Sequence, residues 1–169
     1  SNVNAFKNFC KFVKFKKPKK FIFASSSSVY GDMKTYPVKE SNKLNPKNLY
    51  AKTKKFNEVY VENYFKKTKI KCIGLRLFTI YGEWGRPDML IFKFLKMADK
   101  RFTFSLNNNG NMYRDFTYID DITNCISKII KKPINVMYKK YINKNGFSNL
   151  IKENNKNLII ISGAFLQTF

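Results

Sequence analysis

The chain has 169 residues, 44% of them hydrophobic, which suits one ordinary domain with a real core and excludes wholesale disorder. It carries 33 basic against 11 acidic residues, a formal net charge of +22, and no histidine, which excludes histidine-based catalysis and most zinc sites. Cys10, Cys72 and Cys125 lie in periodic apolar segments without ligand spacing, so they are expected as core residues in a reducing compartment, not as disulfides or a metal site.

The amino terminus is polar and has no apolar h-region, so no secretory leader is expected. Val3, Phe6, Phe9, Cys10 and Val13 recur at helical spacing and predict an opening amphipathic helix. The lysine-rich run 14–20 reads as a solvated connection from that helix to a strand. Phe21-Ile22-Phe23-Ala24 predicts a buried strand over 21–25 that ends in the serines Ser25 to Ser28. A loop over 30–44 leads into a helix predicted over 46–68, with Asn45 as its cap and Pro46 in its first turn. A second strand, 71–78, has in Cys72, Ile73, Leu75 and Leu77 the apolar run of a parallel strand buried on both faces. Residues 89–100 predict a helix with Leu90, Phe94 and Met97 inward, 102–106 a short strand and 107–110 a turn. Residues 120–130 predict a helix that buries Ile122, Ile126 and Ile129. Helix, strand, helix, strand is the order of a doubly wound α/β sheet. The late apolar stretch Leu158-Ile159-Ile160-Ile161 is too short to span a bilayer and is expected to complete no recognisable unit, so no membrane partner is expected.

Two patterns carry chemistry. Tyr50 and Lys54 stand four apart in the predicted helix and share one of its faces. An ammonium beside a phenol favours the phenolate, so the pair is a candidate proton acceptor near neutral pH. Ser26, at the carboxyl end of the strand, would complete a Ser-Tyr-Lys site. Taken alone, Tyr-x-x-x-Lys is as well explained by a solvated helix face, and Ser26 by a strand-end serine that satisfies backbone groups. The charge gives weaker guidance. Only four of the 33 basic residues are arginine, and the excess lysine comes with Asn, Ile, Phe and Tyr, all residues of A/T-rich codons. No specific nucleic-acid partner is expected, although a positive field favours an acidic ligand.

The serine motif Ser25-Ser26-Ser27-Ser28-Val29-Tyr30-Gly31 is followed by Tyr50-Ala51-Lys52-Thr53-Lys54 and by Leu75-Arg76-Leu77-Phe78-Thr79-Ile80-Tyr81-Gly82. Next come Trp84-Gly85-Arg86-Pro87-Asp88-Met89 and Met112-Tyr113-Arg114-Asp115-Phe116-Thr117-Tyr118-Ile119-Asp120-Asp121-Ile122. In this order the chain resembles the extended short-chain dehydrogenase/reductase family, and within it the UDP-glucuronate 4-epimerases, from about residue 2 to about residue 133. The resemblance implies an α/β fold: an incomplete Rossmann-like, doubly wound parallel sheet with part of a small substrate-binding region. The latter half of an NAD-binding domain is expected over 1–85, part of a sugar-nucleotide region over 86–133 and a divergent tail over 134–169. The seven glycines form no Gly-x-Gly-x-x-Gly loop, so the chain is expected to match the middle of a family member, after the strands that hold most of the cofactor.

The resemblance also implies roles. Tyr50 would be the base at the sugar C4 hydroxyl, Lys54 would support it and hydrogen-bond the ribose of NAD, Ser26 would steer the proton, and Tyr81 would lie near the nicotinamide. Ser27 and Ser28 would face substrate where sugar-nucleotide 4,6-dehydratases carry an acid and a base, which disfavours a dehydratase. Thr79 and Arg86 would hold the C5 carboxylate of a glucuronate, for which arginine's planar fork is suited, and Arg114 the nucleotide diphosphate. The alternative for Arg86 is a surface loop residue. Glu83 departs from the family's usual proline, and Trp84 is expected to pack. Asp115, Tyr118, Asp120 and Asp121 are expected to be structural, since adjacent helical carboxylates do not face each other. The implied partners are a UDP-sugar, NAD and a second copy in a homodimer, in the cytoplasm. A neutral UDP-hexose 4-epimerase, or a non-catalytic basic binding module, is the alternative.

Overall fold

A computed structural model describes residues 2–33, 38–100, 115–131 and 158–162. Helix α1 (Asn2–Lys16) turns Cys10 and Val13 fully inward. It ends where Lys17 takes a positive φ of 47° and its N–H reaches the Val13 carbonyl at 2.9 Å. Strand β1 (Lys20–Ala24) follows, then a 3-10 turn (Ser27–Tyr30), helix α2 (Leu49–Phe65) and strand β2 (Lys71–Arg76). Strand β3 (Thr79–Tyr81), helix α3 (Leu90–Lys100), strand β4 (Phe116–Tyr118), helix α4 (Ile119–Lys131) and strand β5 (Leu158–Ser162) complete the described elements.

All pairings are parallel. β2 lies between β1 and β5, with Lys20 opposite Lys71 and Cys72 opposite Leu158, while β3 and β4 form a separate pair. The period of two sorts the side chains into two layers. Phe21, Phe23 and Cys72 face Cys10 and Val13 of α1 and Val61 and Phe65 of α2, with Phe21 and Phe65 ring centroids 5.7 Å apart. Ile73 and Leu75 face Ile122, Cys125 and Ile129 of α4, joined by Ile22, Ile159 and Ile161. Covering both faces explains why β2 is an unbroken apolar run and why all five residues from Cys72 to Arg76 are buried. Lys20, at the start of β1, donates to the Ile129 and Ile130 carbonyls at 2.6 and 3.0 Å, placing a cation on the negative end of α4.

Several expectations need correction. The helix that bears Tyr50 begins at Leu49, not at residue 46, because Asn48 is the cap: its side chain accepts from the Ala51 N–H at 2.8 Å. Asn45 and Pro46 belong to the preceding loop, where the Asn45 carbonyl lies so near Gly31 that a Cβ at Gly31 would collide with it. The strand expected over 71–78 stops at Arg76, and the chain then passes to the second sheet at Thr79. Phe9 of α1 is half exposed rather than inward, as are Leu90 and Phe94 of α3. Residues 158–162 were expected to complete no unit; they supply the third strand of the sheet instead. The predictions for 102–106 and 107–110 lie outside the described residues, and among those described no helix is long and apolar enough to cross a membrane.

The three cysteines are fully buried as expected. Burial pushes their thiols up, to about 11 at Cys10, about 12 at Cys72 and about 11 at Cys125. Because the folded values lie above the ordinary one, the neutral thiols stabilise the fold fully below about pH 9, and this contribution is lost as pH rises through 11 to 12. A thiol-reactive dye at pH 8 is expected to label none of the three until denaturant unfolds the chain, with labelling following the loss of circular dichroism. Rapid labelling of folded protein would show that these sites open locally.

Candidate active site

The site forms where the carboxyl end of β1 meets one face of α2. Tyr50, Lys54 and Glu58 are spaced by four and therefore lie along that face. Lys54 extends its ammonium to the Ala24 carbonyl at 2.9 Å, and the same nitrogen lies 5.6 Å from the centroid of the Tyr50 ring. The pair expected from the sequence is thus assembled and brought to the last residue of β1. Tyr50 is 49% exposed, so its phenol is open to a ligand. Burial lowers the Lys54 pKa from its ordinary value, since water that would solvate the ammonium is excluded.

Ser26 has extended backbone, with φ −156° and ψ 146°, and caps the 3-10 turn. Its hydroxyl oxygen accepts from the Ser28 N–H at 3.2 Å and from the Ser28 hydroxyl at 2.9 Å. Capping the turn leaves the Ser26 proton unused, because a hydroxyl keeps a proton to donate while accepting. The Ser27 N–H donates to the Leu77 carbonyl at 3.0 Å, tying the serine segment to the stretch that leads to Thr79.

Beneath these groups lies an ionic cluster that reasoning from the sequence missed. Glu58 and Arg76 are buried, each side chain only 5% exposed, and joined by two bonds: Nε to Oε1 at 3.0 Å and an Nη to Oε2 at 2.8 Å. The other Nη donates to the Tyr30 hydroxyl at 2.9 Å and the Glu40 carbonyl at 3.0 Å, while the Ser25 hydroxyl donates to Glu58. Burial works against the Arg76 charge, but the hydrogen bonds and charge of Glu58, with Tyr30, outweigh it and leave the Arg76 pKa raised. Two signals were present in the sequence. Glu58 continues the Tyr50–Lys54 spacing by one more turn, and Arg76 ends an apolar strand whose other charge, Lys71, stands at the opposite end, so a partner for the arginine is required.

The remaining candidates lie on or after β3. Thr79 opens β3, its N–H donating to the Asp115 carbonyl at 3.2 Å. Tyr81 closes β3 and packs on Tyr118 and Phe116, with centroids at 5.5 and 6.3 Å. Next to it is a hollow lined by Thr79, Ile80, Tyr81, Met89, Leu90 and Phe116. Gly82 and Trp84 have positive φ of 130° and 61°, and the Gly85 N–H closes the turn on the Gly82 carbonyl at 3.3 Å. Trp84 does not pack as expected: it is 99% exposed at the tip of this turn. Arg86 lies on the exposed side of the same loop, donating to Asp88 at 3.0 Å. Asp120 and Asp121 occupy the first turn of α4, where carboxylates favour a helix terminus. Arg114 lies outside the described residues. No hydrogen bond among the described residues joins Thr79, Tyr81 or Arg86 to Ser26, Tyr50 or Lys54.

Comparisons with known proteins show the family and the fold. A profile described as the NAD dependent epimerase/dehydratase family matches residues 1–143, beyond residue 133, where the resemblance was expected to end. Protein CapI of Staphylococcus aureus is 44% identical over 134 residues, which cover 79% of this chain and 40% of that protein. UDP-glucuronate 4-epimerase 4 of Arabidopsis thaliana is 43% identical over 127 residues, covering 72% of this chain and 29% of its own. A crystal structure of UDP-glucuronic acid 4-epimerase from Bacillus cereus, in complex with UDP-glucuronic acid and NAD, superposes with a TM-score of 0.76 at 28% identity, covering 96% of this chain and 45% of that one. The chain spans half or less of the length of these relatives. By the profile match and the fold, the chain belongs to the NAD dependent epimerase/dehydratase family.

Proposed function

We propose that these residues form the proton-transfer half of an NAD-dependent nucleotide-sugar 4-epimerase that interconverts UDP-glucuronate and UDP-galacturonate. The observation that carries this reading is the Lys54 ammonium, held 2.9 Å from the Ala24 carbonyl, two residues before Ser26 in the chain, and 5.6 Å from the ring centroid of the exposed Tyr50. The residues present fit the nicotinamide–ribose end of NAD: the Ala24 bond uses one of the three Lys54 donors, and Tyr50 is open. Bound there, NAD supplies the acceptor and donor of hydride. Tyr50 takes the proton from the sugar C4 hydroxyl while Ser26, already accepting from Ser28, donates its own proton in a hydrogen bond to the same oxygen, and Tyr50 returns the proton after the sugar has turned its other face. Lys54, held through the Ala24 carbonyl, keeps a positive charge beside the phenol and orients the ribose hydroxyls. Ser27 and Ser28 take the substrate side of the turn. They offer no carboxyl pair, which supports epimerisation over dehydration.

Substrate selection falls to the loop after β3. Thr79 and Arg86 bind the C5 carboxylate, Arg86 exchanging the exposed Asp88 for the ligand, and Arg114 binds the diphosphate. Holding that carboxylate also limits loss of carbon dioxide from a 4-keto acid. A neutral UDP-hexose is the second reading, favoured by the Arg86–Asp88 pair, which leaves the arginine on the surface.

A second copy completes the assembly. Phe9, Phe12 and Phe15 of α1 are 52%, 54% and 76% exposed, and Phe56 and Val59 of α2 continue the apolar strip, with Lys7 5.1 Å from the Phe56 centroid. Such a strip is large for a monomer surface and suits a helix-on-helix dimer.

Four measurements test the reading. Sequencing the coding region on both sides of Ser1 and Phe169 is expected to find, in frame and upstream, a strand, glycine-rich loop and helix; a stop there would rule out catalysis by this polypeptide. In the protein that contains these residues, Tyr50→Phe is expected to lower kcat by about 10²–10⁴-fold with little change in KM. Arg86→Gln should raise KM for UDP-glucuronate about ten- to hundred-fold, the worth of a charged hydrogen bond, and leave UDP-glucose unaffected; equal effects on both sugars would favour the neutral-hexose reading. Sedimentation should give a dimer that Phe12→Glu dissociates, and a concentration-independent monomer would remove the second copy.

A further inference from the structure

Glu58 poses a problem for the Tyr50–Lys54 pair. It stands one helical turn beyond Lys54 on the same face of α2, the spacing at which a lysine and a glutamate pair on an isolated helix. A carboxylate bound to the Lys54 ammonium would draw it along the helix and away from the strand end, and would neutralise the charge beside Tyr50. Lys54 is found instead on the Ala24 carbonyl. The Glu58 oxygens are taken: Oε1 by Arg76 Nε and the Ser25 hydroxyl, Oε2 by an Arg76 Nη at 2.8 Å. Tyr30 and the Glu40 carbonyl fix the guanidinium from its other side.

We propose that Arg76 is a positioning residue that sequesters the Glu58 carboxylate, so that Lys54 is left to the Ala24 carbonyl, Tyr50 and ligand. It does not touch the reacting atoms and acts only by removing a competitor. Arginine suits the task because its planar fork occupies both carboxylate oxygens at once, which a lysine's point charge does not. The charged and titratable groups concerned are Tyr50, Glu58, Arg76, Tyr30 and Lys54 itself; the strand end at Ala24 to Ser28 contributes none. No hydrogen bond or ion pair joins Lys54 to Glu58 among the described residues, and burial lowers the Lys54 pKa. The inference deepens the reading of Lys54 as the partner of Tyr50, yet its test needs no turnover.

The test is the titration of Lys54 in the full 169-residue chain, read by carbon-13 NMR of its dimethylated lysines, with the signal assigned by Lys54→Arg. In Arg76→Gln the freed carboxylate should turn to Lys54 and raise its midpoint by about 1–3 units. Adding Glu58→Gln to that variant should restore the original midpoint. Circular dichroism confirms that each variant is folded. A folded Arg76→Gln with an unchanged midpoint overturns the proposal. The double variant carries no buried charge and is therefore the more robust fold; should the single variant not fold, the double one decides. An unchanged midpoint then supports sequestration, and a fall of one unit or more would show that Lys54 already sensed Glu58 and overturns it. A protein inactive towards UDP-sugars but with these shifts would refute the proposed function alone.

Discussion

The guanidinium of Arg76 and the carboxylate of Glu58 meet out of water, and the arrangement of the site rests on that meeting. Each ion alone would carry a desolvation cost of several kcal/mol, offset here by the two hydrogen bonds between them and by further partners at Tyr30, Ser25 and Glu40. Removing either partner strands a buried charge, commonly at about 3–5 kcal/mol. A pair of this kind is a poor source of net stability compared with an apolar core of equal volume. It supplies registry: strand β2, helix α2, the 3-10 turn and the loop at Glu40 are fixed to one another through four bonds from a single side chain.

The chemistry lies where the parallel sheet leads it. In open α/β sheets ligands bind beyond the carboxyl ends of the strands, and the serine turn occupies that end of β1. The helix face that returns over it delivers Tyr50 and Lys54, while α1 and the aromatic rings of Phe21, Phe23 and Phe65 hold that helix against the sheet. The two layers thus divide the work. The aromatic side fixes the helix that bears Tyr50 and Lys54, and the isoleucine side, closed by α4, supports the strand ends from below.

Much of this was legible in the residues. The alternation of helical and apolar runs, the buried cysteines and the shared helix face of Tyr50 and Lys54 all follow from periodicity, and the structure has them, with Lys54 bonded to Ala24 at the end of β1. The failures have physical causes. Asn45-Pro46 and Asn48-Leu49 are both plausible helix starts, and tertiary contact decides between them: the Asn45 carbonyl is held over Gly31, leaving Asn48 to cap. Trp84 was expected to pack by its size alone, but a positive φ at the turn tip carries the side chain into water. Phe94 and Leu90 looked inward by spacing, yet their surroundings among the described residues cover them only in part. The Glu58–Arg76 pair joins residues on different elements, which no local pattern reports, although a lone arginine in an apolar strand marks where to search.

The central position of β2 has a consequence for how the chain reaches this state. One neighbour, β1, precedes it by a single helix, but the other, β5, comes from the far end of the sequence, with Cys72 pairing Leu158 and Arg76 pairing Ser162. Closing that long segment costs chain entropy before any ladder bond rewards it, so the contact order is high and the last strand docks late. On a ribosome, β1, α2 and β2 emerge first, with one edge of β2 unpaired until residues 158–162 arrive. For that interval Ile73 and Leu75 lack the cover of Ile159 and Ile161, and the nascent chain presents a strand edge that a chaperone, or another nascent copy, can reach.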